Sequence, residues 1–208
     1  MEQLNVSEHL LHRGRVLEAI TLSWNVVGIV VLAVAAVSAG SVALAGFGLD
    51  SLIEIGASTV VLWELSGTGE ERQRRALRLI GGAFVALACY LAIQSSLVLA
   101  AGYHPRHSPL GIAWTAVTAL AMFVLAGGKT RIGRALQNPV LLTEGRVTAI
   151  DGVLAVAVLL GLLLNSALGW WWADPAAAYV LVYYAARESS EIFRGPHDRE
   201  QLNAISIV

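Results

Sequence analysis

Charged residues are scarce in this 208-residue chain, because Asp, Glu, Lys and Arg together make up only 14% of it. A soluble domain carries roughly 25% charged residues, so this chain lacks the polar surface that a water-exposed globule of its size requires. Its apolar share is correspondingly high, at 56%, and its mean hydropathy is +0.66. This composition excludes a soluble globular domain and indicates an integral membrane protein with lipid as the solvent for much of the chain.

Cysteine pairs and an excess of positive charge are also missing. The single cysteine, Cys89, has no second cysteine with which to form an internal disulfide. The formal net charge is -1 at pH 7. It argues against a nucleic-acid binder, because such binding requires a concentrated positive excess. No small-residue cleavage pattern follows the first hydrophobic segment, which is therefore predicted to be a membrane anchor and not a signal peptide.

Long uncharged runs predict an all-α integral membrane fold with six transmembrane helices. At about 20 residues per span, six helices use about 120 residues and leave no room for a sizeable second domain. A cytoplasmic N-terminal arm at 1–16 and a short cytoplasmic tail at 193–208 flank a membrane domain at 17–192. The predicted spans are separated by glycine, proline or clustered charge and cover about 17–38, 42–65, 79–101, 110–127, 139–168 and 175–192.

The distribution of basic residues predicts the orientation in the membrane. Lys and Arg near span ends concentrate on the cytoplasmic side. With both termini in the cytoplasm, only Arg106 lies outside, and a count of five or seven helices spoils this partition. Arginine outnumbers lysine thirteen to one, which together with abundant alanine is typical of a GC-rich bacterial genome. We therefore expect a multi-pass protein of the cell inner membrane, that is, the plasma membrane.

Three acidic residues fall inside the predicted spans. Asp50 and Glu54 are four residues apart and share one face of the second helix, while Asp151 lies in the fifth. A charge at the centre of a span costs about 2.5–3.5 kcal/mol on insertion scales, so such residues are functional by default. Helical rise places Glu54 about 14 Å and Asp151 about 16 Å from the cytoplasmic side, so all three meet near the midplane if the two helices touch. Their mutual repulsion predicts a bound cation or a high proton affinity. The alternatives are a set of buried, protonated structural acids, or a second helix that is a water-exposed segment and not a span.

Three segments of the chain resemble a known family: SVALAGFGLDSLIEIGAS, TEGRVTAIDGV and WADPAAAYVL. The family that they resemble is that of the cation diffusion facilitators. The segment SVALAGFGLDSLIEIGAS is similar to that family's second helix, in which an acid or histidine precedes an acid by four positions, as Asp50 precedes Glu54. TEGRVTAIDGV resembles the fifth-helix stretch, and WADPAAAYVL resembles the start of the sixth helix. The resemblance extends over essentially all six helices. It implies a homodimeric transporter that exchanges a divalent transition metal for protons at a four-ligand site between helices two and five.

Two features depart from that family's pattern. The fifth-helix motif usually has histidine or aspartate four residues before its final acid, but Val147, which cannot bind metal, holds that position here. Asn25 on helix one and Glu144 one turn before Val147 are the first candidates for the missing ligand, followed by Thr148 and water. The family also has a cytoplasmic metal-binding domain after helix six, whereas only about fifteen residues follow Phe193. We therefore expect a short form that lacks this domain.

The leading functional hypothesis is a proton-coupled antiporter, and not an enzyme, that exports a divalent metal from the cytoplasm. Oxygen ligands favour manganese, magnesium or iron over zinc, but zinc is common in the resembled family, so zinc, manganese, iron, cobalt and cadmium all remain candidates. The alternative is a membrane metal sensor or regulatory subunit that binds metal without moving it. An intramembrane hydrolase is disfavoured, because Ser51 beside Asp50 has no histidine base inside any predicted span.

Overall fold

The computed structural model describes residues 2–64, 70–137 and 139–205. Within these ranges, the side chains at 2–8, 11, 57–64, 70–77, 79–80, 139–141, 143–144 and 194–205 lie outside the described residues. The regular secondary structure of the described residues is all α-helix, which confirms the prediction of an all-α protein. Its helices are α1 (Glu2–Ala39), α2 (Val42–Glu64), α3 (Glu70–Ala101), α4 (Pro109–Leu136), α5 (Pro139–Leu168) and α6 (Ala173–Ile205).

Several helices continue beyond the predicted spans. α1 begins at Glu2, inside the segment expected to be an arm, and α6 continues through much of the expected tail to Ile205. α4 ends at Leu136, although its apolar run was expected to stop near residue 127. The physical reason is that hydropathy reports where lipid contact ends. A helix satisfies its own backbone hydrogen bonds and can extend into water past that point.

Four helices contain stretches that are long and apolar enough to cross a membrane, counting only the described residues. This finding supports a multi-pass membrane protein. α2 and α6 are the two helices without such a stretch among the residues that were described. The side chains of the last eight residues of α2, 57–64, lie outside the described residues, and α6 becomes polar from Arg187 onward. The four stretches are His12–Ala39, Gly81–Ala101, Pro109–Leu136 and Gly145–Leu168.

The surface of the bundle is apolar, as expected for contact with lipid. Val37 is 82% exposed and Leu120 is 68% exposed, and many other large aliphatic side chains also face outward. Several polar side chains are buried instead, including Asn25 and Thr115. This partly inverted distribution indicates that the helices are surrounded by hydrocarbon and that their polar groups are paired inside the bundle.

α2 is the central helix of the bundle and contacts α1, α3, α5 and α6. A small residue allows one of these close approaches: a Cβ atom at Gly46 would lie 2.7 Å from a δ carbon of Leu91 on α3. On α5, a Cβ atom at Gly161 would lie 2.8 Å from the Cβ atom of Ala177 on α6. The packing therefore depends on glycine at these crossings. α2 also lies against α5.

One end of the bundle is held together by polar contacts between its connections. The backbone N–H of Arg106 donates to the carbonyl of Ala39 at 2.8 Å, which joins the α3–α4 loop to the end of α1. Asn165 Nδ2 on α5 donates to the carbonyl of Pro105 at 3.0 Å. Asp174, at the start of α6, accepts from the Ser41 hydroxyl and from the backbone N–H of Val42 at 3.0 Å. These bonds tie α1 and α5 to the α3–α4 loop and the start of α2 to α6 at this end.

Candidate metal site

The packing of α2 against α5 brings the three intramembrane acids together. Asp50 and Glu54 lie on adjacent turns of α2, and Asp151 faces them from α5. One carboxylate oxygen of each residue lies within 4.8 Å of the corresponding oxygens of the other two. Asp50 is 3% exposed and Asp151 is 5% exposed, whereas Glu54 is half-buried.

The spacing of these oxygens suits a shared cation. Metal–oxygen bonds in proteins are about 2.0–2.6 Å long, so two oxygens on one ion lie at most about 4–5 Å apart. The observed limit of 4.8 Å falls within that range. Three carboxylates held this closely, two of them buried, are not stable as three bare negative charges, because desolvation and repulsion both disfavour ionisation. The cluster is therefore suited to bind a cation, protons, or each in turn.

Asn25 reaches the same cluster from α1. Its side chain is 7% exposed, and its Nδ2 atom donates a hydrogen bond to Glu54 Oε2 at 3.0 Å. The structure thus places Asn25, one of the candidates for the fourth ligand, beside the acids. The amide fixes the orientation of the Glu54 carboxylate, and a rotation of the same amide would present its oxygen to an ion.

The other candidates for the vacant ligand position lie on α5. Val147 is half-buried and has no ligand atom. The Glu144 side chain lies outside the described residues. Thr148 is 2% exposed, and its Oγ1 atom accepts a hydrogen bond from Lys129 Nζ at 3.2 Å. The hydroxyl of Thr148 therefore has a structural partner on α4.

Lys129 is a polar residue near the site that the sequence pattern did not single out. It is the one lysine of the chain and has no exposed surface, and its Nζ atom lies 2.7 Å from Glu18 Oε2 on α1. Through Thr148 it contacts α5 three residues before Asp151, a rise of about 4.5 Å along the helix. The sequence GGKTRIGR is typical of the charged end of a span, so only the continuation of α4 shows that this ammonium is buried between α1, α4 and α5.

An all-helical membrane bundle with converging buried acids defines a class of protein that handles ions within the bilayer. Residues 78–195, more than half of the chain, match a family model described as the cation efflux transmembrane domain. The chain belongs to the cation efflux family, which confirms the resemblance to cation diffusion facilitators seen in its motifs. It is thus a cation transporter of the membrane, and members of this family are transporters rather than enzymes. Asp151 lies within the matched residues, whereas Asp50 and Glu54 precede them and are associated with Asp151 by geometry.

Proposed function

We propose that this protein is a proton-coupled antiporter that exports a divalent transition metal from the cytoplasm. Asp50, Glu54 and Asp151 form its metal site between α2 and α5. The observation that carries this proposal is the convergence of three acids from two helices, with ligand oxygens within 4.8 Å of one another, in a chain of the cation efflux family. The cation in the site is the transported substrate.

Charge balance within the cluster supplies the coupling between metal and protons. A divalent ion is neutralised by two ionised carboxylates, so the third acid keeps a proton when metal is bound. When the metal leaves, the acids repel one another, and proton uptake relieves that repulsion. Protons and metal therefore compete for the same oxygens, and a proton gradient across the membrane can drive metal in the opposite direction.

The metal is a divalent ion that accepts oxygen ligands. Zinc, manganese, iron, cobalt and cadmium all meet this condition, and the carboxylate and amide groups near the site favour the harder ions among them. Transport assays of each metal, and not coordination chemistry alone, will rank them.

We also propose that all six helices span the membrane over residues 17–192, with the arm and the tail in the cytoplasm, and that the protein is a homodimer. The central place of α2 among four other helices supports a spanning role for that helix, since its carboxylates are then shielded from lipid. Trp170 and Trp172 stack on each other and are 43% and 46% exposed. Aromatic rings in such positions are typical of a membrane–water interface, here the outer one.

The decisive test of the proposed function is whether the protein transports metal or only binds it stoichiometrically. In proteoliposomes with an imposed pH gradient, we expect gradient-driven accumulation of at least one of the five metals well beyond one ion per protein. Each metal is assayed separately, with protein-free liposomes and liposomes without a gradient as controls. Uptake that saturates near one ion per protein for every metal would contradict antiport and would support the sensor or regulatory alternative.

Substitutions at the two leading candidates are expected to identify the fourth ligand. Asn25→Ala should raise the metal concentration for half-maximal transport about tenfold, because groups that orient a metal ligand typically contribute 10–100-fold to affinity. Glu144→Gln, measured in parallel, should have the larger effect if Glu144 supplies the ligand itself. Asn165→Ala is the matched control, since that amide bonds the Pro105 carbonyl at the other end of α5. An unchanged half-maximal concentration in Asn25→Ala would remove Asn25 from the site.

A further inference from the structure

A groove of about 620 Å³ lies between α4 and α5, on the bundle surface away from the carboxylate cluster. Its lining combines apolar surface with three guanidinium groups. Phe123, Ala126 and Ala149 contribute the apolar part, and Gly127 and Gly145 lie beside them. The arginines are Arg131, Arg134 and Arg146.

The three arginines are exposed, and none lies in an ion pair among the residues that the structure describes. Arg131 and Arg134 lie three residues apart on α4, so they occupy one face, and Arg146 joins them from α5. The described lining of the groove contains no carboxylate. Three like charges along one groove repel one another, and an anion between them would relieve that repulsion.

The floor of the groove is formed by close helix packing. A Cβ atom at Gly145 would lie 2.6 Å from Thr130 Oγ1, so α4 and α5 approach tightly there. In contrast, a Cβ atom at Gly127 would have no heavy atom within 4 Å, which shows that Gly127 opens onto unfilled space. Phe123, one turn before Gly127, is 45% exposed and continues this space toward the apolar part of α4.

The arginines lie where the apolar spans end. The uncharged run of α4 extends from Pro109 to Gly128, and Arg131 and Arg134 follow it within two turns. Arg146 lies beside them on α5. The charged end of the groove is therefore at headgroup level, and its apolar end extends along the hydrocarbon. Basic pockets between membrane helices at this level suit the phosphate of an anionic lipid, because guanidinium pairs with phosphate through two hydrogen bonds.

We propose that the α4–α5 groove is a binding site for an anionic phospholipid. Its phosphate is held by Arg131, Arg134 and Arg146, and one acyl chain lies past Gly127 along Phe123. The proposal requires that the protein lie in a membrane, and it does not depend on the proposed metal transport. Asp151 also lies on α5. The bound lipid therefore contacts the membrane-facing surface of the helix that carries this acid.

Native mass spectrometry of the full chain in detergent tests the site, using phosphatidylglycerol and phosphatidylcholine with identical acyl chains. We expect preferential retention of phosphatidylglycerol. Each arginine should contribute about fivefold, so the combined variant R131Q/R134Q/R146Q should lower retention on the order of 100-fold. Arg187→Gln is the control for charge loss, because Arg187 is exposed on α6 and paired with Glu191 at 2.9 Å.

A second variant tests the acyl-chain part of the groove while keeping its charges. Gly127→Phe fills the open space and should reduce phosphatidylglycerol retention, whereas Gly82→Phe, at another glycine with no atom within 4 Å of an added Cβ, should not. Equal retention of the two lipids, or normal retention by the arginine variant, would overturn the proposal. Displacement by inorganic phosphate with no effect of Gly127→Phe would assign the arginines to a free anion. A changed dimer-to-monomer ratio with unchanged lipid retention would make the groove a subunit contact, which also overturns the lipid site.

Discussion

Asp151→Asn is expected to abolish metal–proton exchange, with a decrease of more than about 100-fold in the initial rate of gradient-driven transport. The substitution keeps the size of the side chain but removes the negative charge and the protonatable oxygen. Loss of a group that only orients a metal ligand already costs 10–100-fold, so loss of a ligand should cost more. Asp50→Asn should have a similar effect, because its carboxylate lies within the same 4.8 Å cluster. Both variants are measured as rates in the proteoliposome assay.

Glu191→Gln provides the matched control for these variants. It makes the same acid-to-amide change on α6, at a side chain that is 43% exposed and paired with Arg187. We expect its transport rate to stay within about twofold of the native rate, since surface pairs of this kind contribute little. Near-native transport in both Asp50→Asn and Asp151→Asn would exclude the carboxylate cluster as the transport site. That result would not affect the assignment to the cation efflux family, which rests on the match over residues 78–195.

Asp174→Ala is expected to cause the largest loss of folded stability. Asp174 has no exposed surface and accepts hydrogen bonds from the Ser41 hydroxyl and from the N–H groups of Val42 and Ala43, the latter at 3.4 Å. It thus caps the N-terminus of α2 from the first turn of α6. Removing it leaves the buried N–H groups of Val42 and Ala43 without this acceptor, at about 1–3 kcal/mol for each. We expect a total loss of roughly 2–6 kcal/mol, measured as a reduced Tm of the detergent-solubilised protein.

Two further variants distinguish a capping role of Asp174 from the effect of removing any acidic side chain from α6. Asp174→Asn keeps one carbonyl acceptor and should lose less stability than Asp174→Ala. Glu191→Ala, at an exposed acid on the same helix, should change stability by no more than about 0.5 kcal/mol. Equal Tm values for Asp174→Ala and Glu191→Ala would show that the contacts at the start of α2 contribute nothing measurable to the folded bundle.

Much of this protein follows from local sequence patterns. Runs of uncharged residues are sufficient to predict helices, because only helices satisfy their backbone hydrogen bonds within a single segment in lipid. Asp50 and Glu54 stand out because a charge within such a run is costly. Their spacing of four residues also puts them on one face of the helix. The motif TEGRVTAIDGV adds Asp151 through its family resemblance.

Contacts between distant segments are less accessible to such patterns. The hydrogen bond from Asn25 to Glu54 joins residues 29 positions apart, and the pattern offered Asn25 only as one of several candidates. The local sequence does not predict the burial of Lys129, because a lysine near a span end is equally compatible with a solvent-exposed and a buried side chain. Its ion pair with Glu18 depends on the continuation of α4 and on the packing of α1 beside it. The helix ends at Glu2 and Ile205 also depart from the hydropathy pattern, since water tolerates both helix and coil.

By itself, the sequence determined the membrane class, the helical fold and the acids worth examining, because each of these depends on the cost of placing a group in hydrocarbon. Only the tertiary structure decided that α2 contacts α5, and therefore that Asp50, Glu54 and Asp151 share one small volume. It also decided that Asp174 caps a helix more than a hundred residues earlier in the chain and that the α4–α5 arginines line one groove. These features depend on which helix faces meet, and that choice results from close packing of small and large side chains over the whole bundle.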